Sequence, residues 1–455
     1  MQIDIGLLRS RVYTDNPDLL KALTELYSFN TPGAAYTPAA RSRRWDGKTR
    51  FISSNGTFRT GLLEKILKDL KKIDCIPTLN YTYEKNLITP QNWNIQGFKL
   101  RDYQDEAIRI AVSKHRTVIQ SPTGSGKTLM MAGIVKALAG RKIVIMFDAK
   151  QLLEQTYKFF VEDCKFENIG MNYGEGFIYG DVMLTTVQSI ENILDTHLEE
   201  AEVLMIDEAH KFANGKQRLA AIKSFPNAQY RLGFTATVPS EKIPLYSLEG
   251  ALGETYKVRT TKDLIDAGHL TKPTIQMLPV KEPDTDYTDY SYRDIYTELI
   301  VNNQDRNNEI LNIVNTIRNN HDNARILILV NRLEHGERLQ ALLGDSCFYL
   351  KGEDDIGKRY NTIRSFLTYQ KCSTLLGTRI LETGVDIREI THFINARGLK
   401  SPIATIQALG RSLRLHDSKE HVFIYDFMDR GPYLRTHARK RYNTYKKEGH
   451  EVEII

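Results

Sequence analysis

The chain of 455 residues is expected to fold as α/β, with two parallel-sheet lobes in tandem preceded by a small α+β module. Three observations predict this. Short, almost wholly apolar runs of strand length alternate with stretches of helical periodicity in two blocks, about 98–280 and 305–430. Such strands are buried on both faces, as in a parallel sheet covered by helices. A glycine-rich loop joins one of these strands to a helix. The length also exceeds what one hydrophobic core organises.

Residues 1–97 are expected to form the small module. Ile3-Asp4-Ile5-Gly6-Leu7 alternates as a strand does, Asn16-Pro17-Asp18 opens a helix, and 61–72 has Leu62, Leu63, Ile66, Leu67 and Leu70 along one side. This stretch holds 14 Lys/Arg and 9 Asp/Glu, a net +5, while the whole chain carries +6. A polyanionic partner accounts for that placement. Within it, Arg41-Ser42-Arg43-Arg44-Trp45-Asp46-Gly47-Lys48-Thr49-Arg50 sets basic residues around an aromatic and an Asp-Gly turn. Arg43, Arg44, Lys48 and Arg50 suit phosphate contact, and Trp45 either stacks on a base or packs in the module's own core. Residues 81–93 lack periodicity and are expected to be a linker.

In the first lobe, Thr117-Val118-Ile119-Gln120 is a strand, and a helix over 129–139 is stopped by Gly140. Between them, Ser121-Pro122-Thr123-Gly124-Ser125-Gly126-Lys127-Thr128 forms a phosphate cradle. Gly124 and Gly126 let the backbone approach phosphate oxygens, Thr123 and Ser125 complete the loop, Lys127 reaches the outer phosphates, and the Thr128 hydroxyl holds Mg²⁺. The implied cofactors are ATP and Mg²⁺. Upstream, the amide of Gln104 has the donor and acceptor that an adenine edge requires. Downstream, Val203-Leu204-Met205-Ile206 delivers Asp207 and Glu208 to the same sheet edge. Asp207 is placed to hold Mg²⁺ and Glu208 to deprotonate the attacking water. His210 is expected to link the nucleotide site to neighbouring elements, and the hydroxyls of Thr235-Ala236-Thr237 to bridge the carboxylate pair to the second lobe. Thr185, Thr186 and Gln188, after another strand, either hold a nucleic-acid phosphate or cap a helix.

Residues 281–304 are expected to be a hinge. In the second lobe Gln407, Arg411 and Arg414 share one helix face, at spacings of four and three. The tail, 431–455, is basic, and a solvated helix is the favoured reading over a further nucleic-acid contact.

The Gln104 segment, the Gly-Ser-Gly-Lys-Thr loop, Asp-Glu-Ala-His and Thr-Ala-Thr, in this order, resemble the motor of the superfamily-two helicases, although Ser121 stands where the usual loop has glycine. The resemblance implies two RecA-like lobes. It implies that Arg411 and Arg414, with Gln407, neutralise charge on the transferring phosphoryl group when ATP closes the lobes. It further implies that Thr383 touches nucleic acid and that Asp386 contacts the nucleotide sugar or an arginine. The Trp-Asp-Gly stretch ahead of the motor is similar to the arrangement in phage recombination helicases. That similarity implies duplex and branched DNA, forks or four-way junctions, as the partner. An RNA helicase, a translocase subunit of a restriction complex and a non-translocating ATP-gated DNA clamp stay open as alternatives. No apolar run approaches the roughly 18 residues of a membrane span. No signal peptide or C-x-x-C pair is visible, and Cys75, Cys164, Cys347 and Cys372 lie far apart, so a cytoplasmic protein with no obligate protein partner is expected.

Overall fold

A computed structural model describes residues 1–85, 90–174, 176–190, 195–213, 215–281, 285–378, 387–401, 410, 412–416, 419 and 421–455. Two compact units divide the chain, Met1–Ser121 with Gly126–Arg259, and Pro122–Ser125 with Thr260–Ile455.

The first unit contains an eight-stranded sheet in the spatial order Gly176–Ile178, Ile169–Tyr173, Val182–Thr186, Ile143–Phe147, Val203–Ile206, Tyr230–Thr235, Arg116–Gln120 and Thr255–Lys257. All pairs are parallel except the first, a hairpin. Every residue of Ile143–Phe147, Val203–Ile206 and Tyr230–Thr235 is buried, as expected for strands covered on both faces. Polar groups are therefore displaced to the strand ends, where the functional residues lie.

The N-terminal module forms a four-stranded sheet in the order Thr57–Arg59, Arg9–Tyr13, Gln2–Ile5 and Thr78–Tyr81, with a separate ribbon of Ser28–Asn30 and Lys48–Arg50. Its helix Pro17–Leu26 starts at Asn16, whose side chain accepts from the backbone of Asp18 and Leu19. The expected boundary at residue 97 is not a gap in packing. Tyr246, from the helix Lys242–Leu252, packs against the rings of Tyr27, Phe29 and Phe51, with centroids 5.8, 4.8 and 5.5 Å away. Lys65 pairs with Glu249 and Lys68 with Glu254. A Cβ on Gly61 would fall 2.1 Å from Glu249 O, so only glycine permits this approach. The segment expected to be a linker is pinned as well: Trp93 Nε1 donates to Asp105 at 2.8 Å.

The second unit carries a seven-stranded parallel sheet in the order Cys347–Leu350, Ser373–Gly377, Arg325–Leu329, His392–Asn395, His421–Met428, Lys272–Pro279 and Val452–Ile454. The strand Lys272–Pro279, expected in the first lobe, belongs to this sheet. Its partner lies about 150 residues downstream, and periodicity cannot report such a pairing. The tail also departs from expectation. The helix Leu434–Lys447 buries Leu434, His437, Ala438, Arg441, Thr444 and Tyr445 and exposes Arg435, Arg439, Lys440, Lys446 and Lys447. Arg441 is 1% exposed and is held by Asp426 at 3.0 Å and Asp429 at 2.9 Å. Tyr445 donates to Asp426 at 2.7 Å, and Arg306 pairs with Asp429 at 2.9 Å. The solvated reading holds only for the outer face.

Replacing Asp426 with Ala leaves the buried guanidinium groups of Arg441 and Arg306 to share the one carboxylate of Asp429 and takes the acceptor from Tyr445. We expect a loss of about 3–5 kcal/mol from the second unit, seen as a lower urea midpoint.

Candidate functional site

The strand Arg116–Gln120 feeds the loop 121–126, and the helix Lys127–Ala137 begins directly after Gly126. Gly124 and Gly126 have φ of +82° and +83°, left-handed values that glycine adopts without strain. Ser121 N donates to Thr235 O at 2.9 Å, which ties the loop to the neighbouring strand. The Ser121 side chain is fully buried, and its hydroxyl has no hydrogen-bond partner among the described residues. Lys127 Nζ folds back to Ser121 O at 3.3 Å. Thr128 is half-buried on the first turn of the helix, and Thr123 is half-buried and Ser125 buried in the loop.

Gln104 lies beneath this loop. It is 3% exposed, its Oε1 accepts from Arg101 N at 2.9 Å, and its Nε2 sits where a Cβ on Gly126 would be 2.5 Å away. The amide thus spends its acceptor on the start of the helix Asp102–Lys114 and braces the loop. A cavity of about 700 Å³ opens alongside, lined by Phe98, Lys99, Leu100, Asp102, Glu106 and Arg259 among others.

Asp207 and Glu208 leave the buried strand Val203–Ile206, with Asp207 N bonded to Met146 O at 3.0 Å. Glu208 holds φ 47° and ψ 47°, a strained conformation for a residue with a Cβ. His210 Nδ1 lies 2.8 Å from Thr235 Oγ1 and 3.2 Å from Glu208 Oε2. Thr235 Oγ1 donates onward to Thr237 O at 2.8 Å, so it must accept from His210. The proton therefore sits on Nδ1 and is shared between the hydroxyl and the carboxylate. A relay runs from Glu208 through His210 to Thr235 and Thr237, connecting three elements of one unit.

The two carboxylates behave oppositely. Burial, and then the charge of Glu208, push Asp207 up to about 7. Burial also acts to raise Glu208, but the hydrogen bond from His210 and the charge of Lys127 outweigh it and hold Glu208 at about 2. Two adjacent, partly buried carboxylates disfavour each other's ionisation, and a cation beside them offsets that repulsion. The carboxylates and the Thr128 hydroxyl are hard oxygen donors, the chemistry that Mg²⁺ takes. Sequence reasoning missed Asp148, which Lys211 reaches at 3.0 Å and Arg218 at 2.6 Å; it anchors the turn after His210. An acidic residue after a strand was the available signal.

Of the residues expected to touch nucleic acid, Thr185 and Thr186 require correction. They are 0% and 5% exposed, and Asn172 and Ser189 occupy their hydroxyls at 3.3 and 2.9 Å. Their place in a strand buried on both faces leaves them structural, whereas Gln188 is exposed. In the basic ribbon, Lys48 pairs with Glu25 at 2.8 Å and Arg50 with Asp46. Trp45 is half-buried and gives its Nε1 to Lys48 O at 2.9 Å, so it braces the turn. Arg41, Arg43 and Arg44 project into solvent. In the second unit Arg414 is half-buried. Thr383, Asp386, Gln407 and Arg411 lie outside the described residues.

His210→Ala removes the shared proton from Glu208 and breaks the relay. We expect ATP turnover to fall at least about tenfold with nucleotide affinity within about threefold of the parent, measured with a fluorescent ATP analogue.

Two families match the chain: Type III restriction enzyme, res subunit, over residues 97–240, and Helicase conserved C-terminal domain, over residues 305–416. The ATP-dependent DNA helicase uvsW of Enterobacteria phage T4 is 24% identical over 90% of this chain and 86% of its own length. The general transcription and DNA repair factor IIH helicase/translocase subunit XPB of Enterocytozoon bieneusi is 22% identical over 86% of this chain and 70% of its own. Among solved structures, S. cerevisiae Dbp5 bound to RNA and ADP BeF3 shares the fold, with a TM-score of 0.58 at 16% identity over 78% of this chain and 90% of that one. The first match takes in the phosphate loop and the carboxylate pair, and the second falls on the seven-stranded sheet. The chain belongs to the ATP-dependent helicases of superfamily two.

Proposed function

We propose that this helicase is a DNA motor that remodels branched DNA, forks and four-way junctions, in recombination, replication and repair. The observation that carries the reading is the Glu208–His210–Thr235–Thr237 relay beside the phosphate loop. It gives nucleotide hydrolysis a mechanical output: protonation or movement at Glu208 is felt by the next strand end. The Trp45-Asp46-Gly47-Lys48 stretch and the similarity to the T4 DNA helicase favour DNA as the track.

In the proposed cycle, the backbone of the loop 121–126 and Lys127 hold the β- and γ-phosphates. Asp207 and Thr128 would hold Mg²⁺, which screens the phosphate charge. Glu208 orients the attacking water and accepts its proton. The cavity lined by Phe98, Lys99 and Arg259 takes the base. Arg411 and Arg414, with Gln407, neutralise charge developing on the γ-phosphoryl group, and Asp386 contacts the sugar or an arginine. Thr383, Gln188, Arg43 and Arg44 meet the phosphate backbone, which carries no sequence information, so movement is insensitive to sequence. Lys48 and Arg50 join them by exchanging surface carboxylates for phosphates, a small change for exposed pairs.

Lys127→Ala is expected to abolish ATP turnover while leaving DNA affinity without nucleotide largely intact; retained turnover rejects the phosphate-loop assignment. Arg43→Ala with Arg44→Ala is expected to weaken four-way-junction binding and to flatten its salt dependence by roughly two phosphate contacts. An ATPase assay with single-stranded DNA, duplex, four-way junction and RNA as activators tests the track. Stronger stimulation by RNA than by any DNA replaces the DNA reading with an RNA helicase. Displacement of a labelled strand or bound roadblock separates a motor from a clamp.

A further inference from the structure

The strand Arg116–Gln120 carries the phosphate loop at one end, and at its other end lies a second cavity, lined by cations. This cavity has a volume of about 260 Å³ and sits where the N-terminal module meets the amino edge of the eight-stranded sheet. Five of its ten lining residues are cations, Arg9, Arg59, Arg116, Lys223 and Arg231, and none is acidic. The remainder are apolar or glycine.

Arg116 and Arg231 are register partners on adjacent parallel strands, so their side chains leave one face side by side. Backbone carbonyls hold the inner guanidinium groups. Arg231 donates to Ala228 O at 3.1 Å, to Ile222 O at 2.9 Å and to Phe225 O; Arg116 donates to Leu7 O, and Arg59 reaches Ser247 O at 3.4 Å. Carbonyls orient these groups without bringing negative charge. None of the five makes an ion pair among the described residues. Burial, then the charge of Arg9, lowers Arg59; burial lowers Arg116 to about 10; burial, then Arg116, lowers Arg231. Cations gathered this closely, with Arg231 buried and Arg59 and Arg116 partly so, repel one another, and a bound anion relieves that repulsion.

We propose that this cavity binds a phosphate group, with Arg9, Arg59, Arg116 and Lys223 on its oxygens and the apolar wall of Leu8, Leu219, Ile222 and Ala251 against the body of the ligand. The planar fork of arginine matches phosphate oxygens in pairs, which favours phosphate over a simple halide. Arg231, already saturated by carbonyls, contributes charge only. The site is separate from the nucleotide cradle, because the two lie at opposite ends of a five-residue strand, ~13 Å apart. It does not depend on the motor reading. The phosphate can come from a free phosphorylated metabolite or from a nucleic-acid strand crossing the module.

The test is calorimetric titration of pyrophosphate into the full chain carrying Lys127→Ala, which disables the first phosphate site. Saturable binding is expected, weakening as salt is raised. Arg9→Glu and Lys223→Glu, both exposed positions that leave the core untouched, are each expected to weaken it by about tenfold or more. Circular dichroism checks the fold of each variant. Competition with a single-stranded thymidine oligonucleotide sorts the sources: displacement of pyrophosphate supports a strand phosphate, and its retention supports a free metabolite. Absence of saturable binding, or binding unchanged by both charge reversals, overturns the site.

Discussion

A strand buried on both faces tolerates charge only where it enters or leaves its sheet, and the first unit of this helicase is organised by that constraint. Its central strands are apolar through their length, so ionisable groups collect at the two edges. At the carboxyl edge stand Asp207, Glu208 and His210, next to the loop that follows Gln120. At the amino edge stand Arg116 and Arg231. One edge gathers negative charge that requires a cation, and the other gathers positive charge that requires an anion. The carboxylate pair and the N-terminus of the helix Lys127–Ala137 thereby lie on one side of the sheet.

The relay through His210 follows from the same geometry. Val203–Ile206 and Tyr230–Thr235 are adjacent and parallel, so Glu208 and Thr235 finish near the same level, with His210 between them. The strained backbone at Glu208 persists because the buried strand before it and the turn held by Asp148 after it leave no alternative. Glu208 is kept ionised by its neighbours, the state a general base requires.

The N-terminal module is fastened to this machinery rather than tethered beside it. Tyr246 enters the aromatic cluster of Tyr27, Phe29 and Phe51, and Lys65 and Lys68 spend their charge on Glu249 and Glu254. Part of the basic excess of the first 97 residues is therefore structural. What faces solvent is concentrated at Arg41, Arg43 and Arg44, beside a turn that Trp45 braces.

Local spacing in the chain was enough to read the strand–loop–helix around Gly124 and Gly126, the place of Asp207 and Glu208 at a strand end and the runs of buried strands. Each depends on residues a few positions apart, where backbone geometry translates spacing into placement. Tertiary structure alone decided that Lys272–Pro279 joins the second sheet, that Thr185 and Thr186 are spent on Asn172 and Ser189, and that Arg441 is buried against Asp426 and Asp429. It alone brought Arg9, Arg59, Arg116, Lys223 and Arg231 around one cavity. The reason is physical: the environment of a charge is set by neighbours tens to hundreds of residues away, and a single sequence records the charge without recording what closes over it.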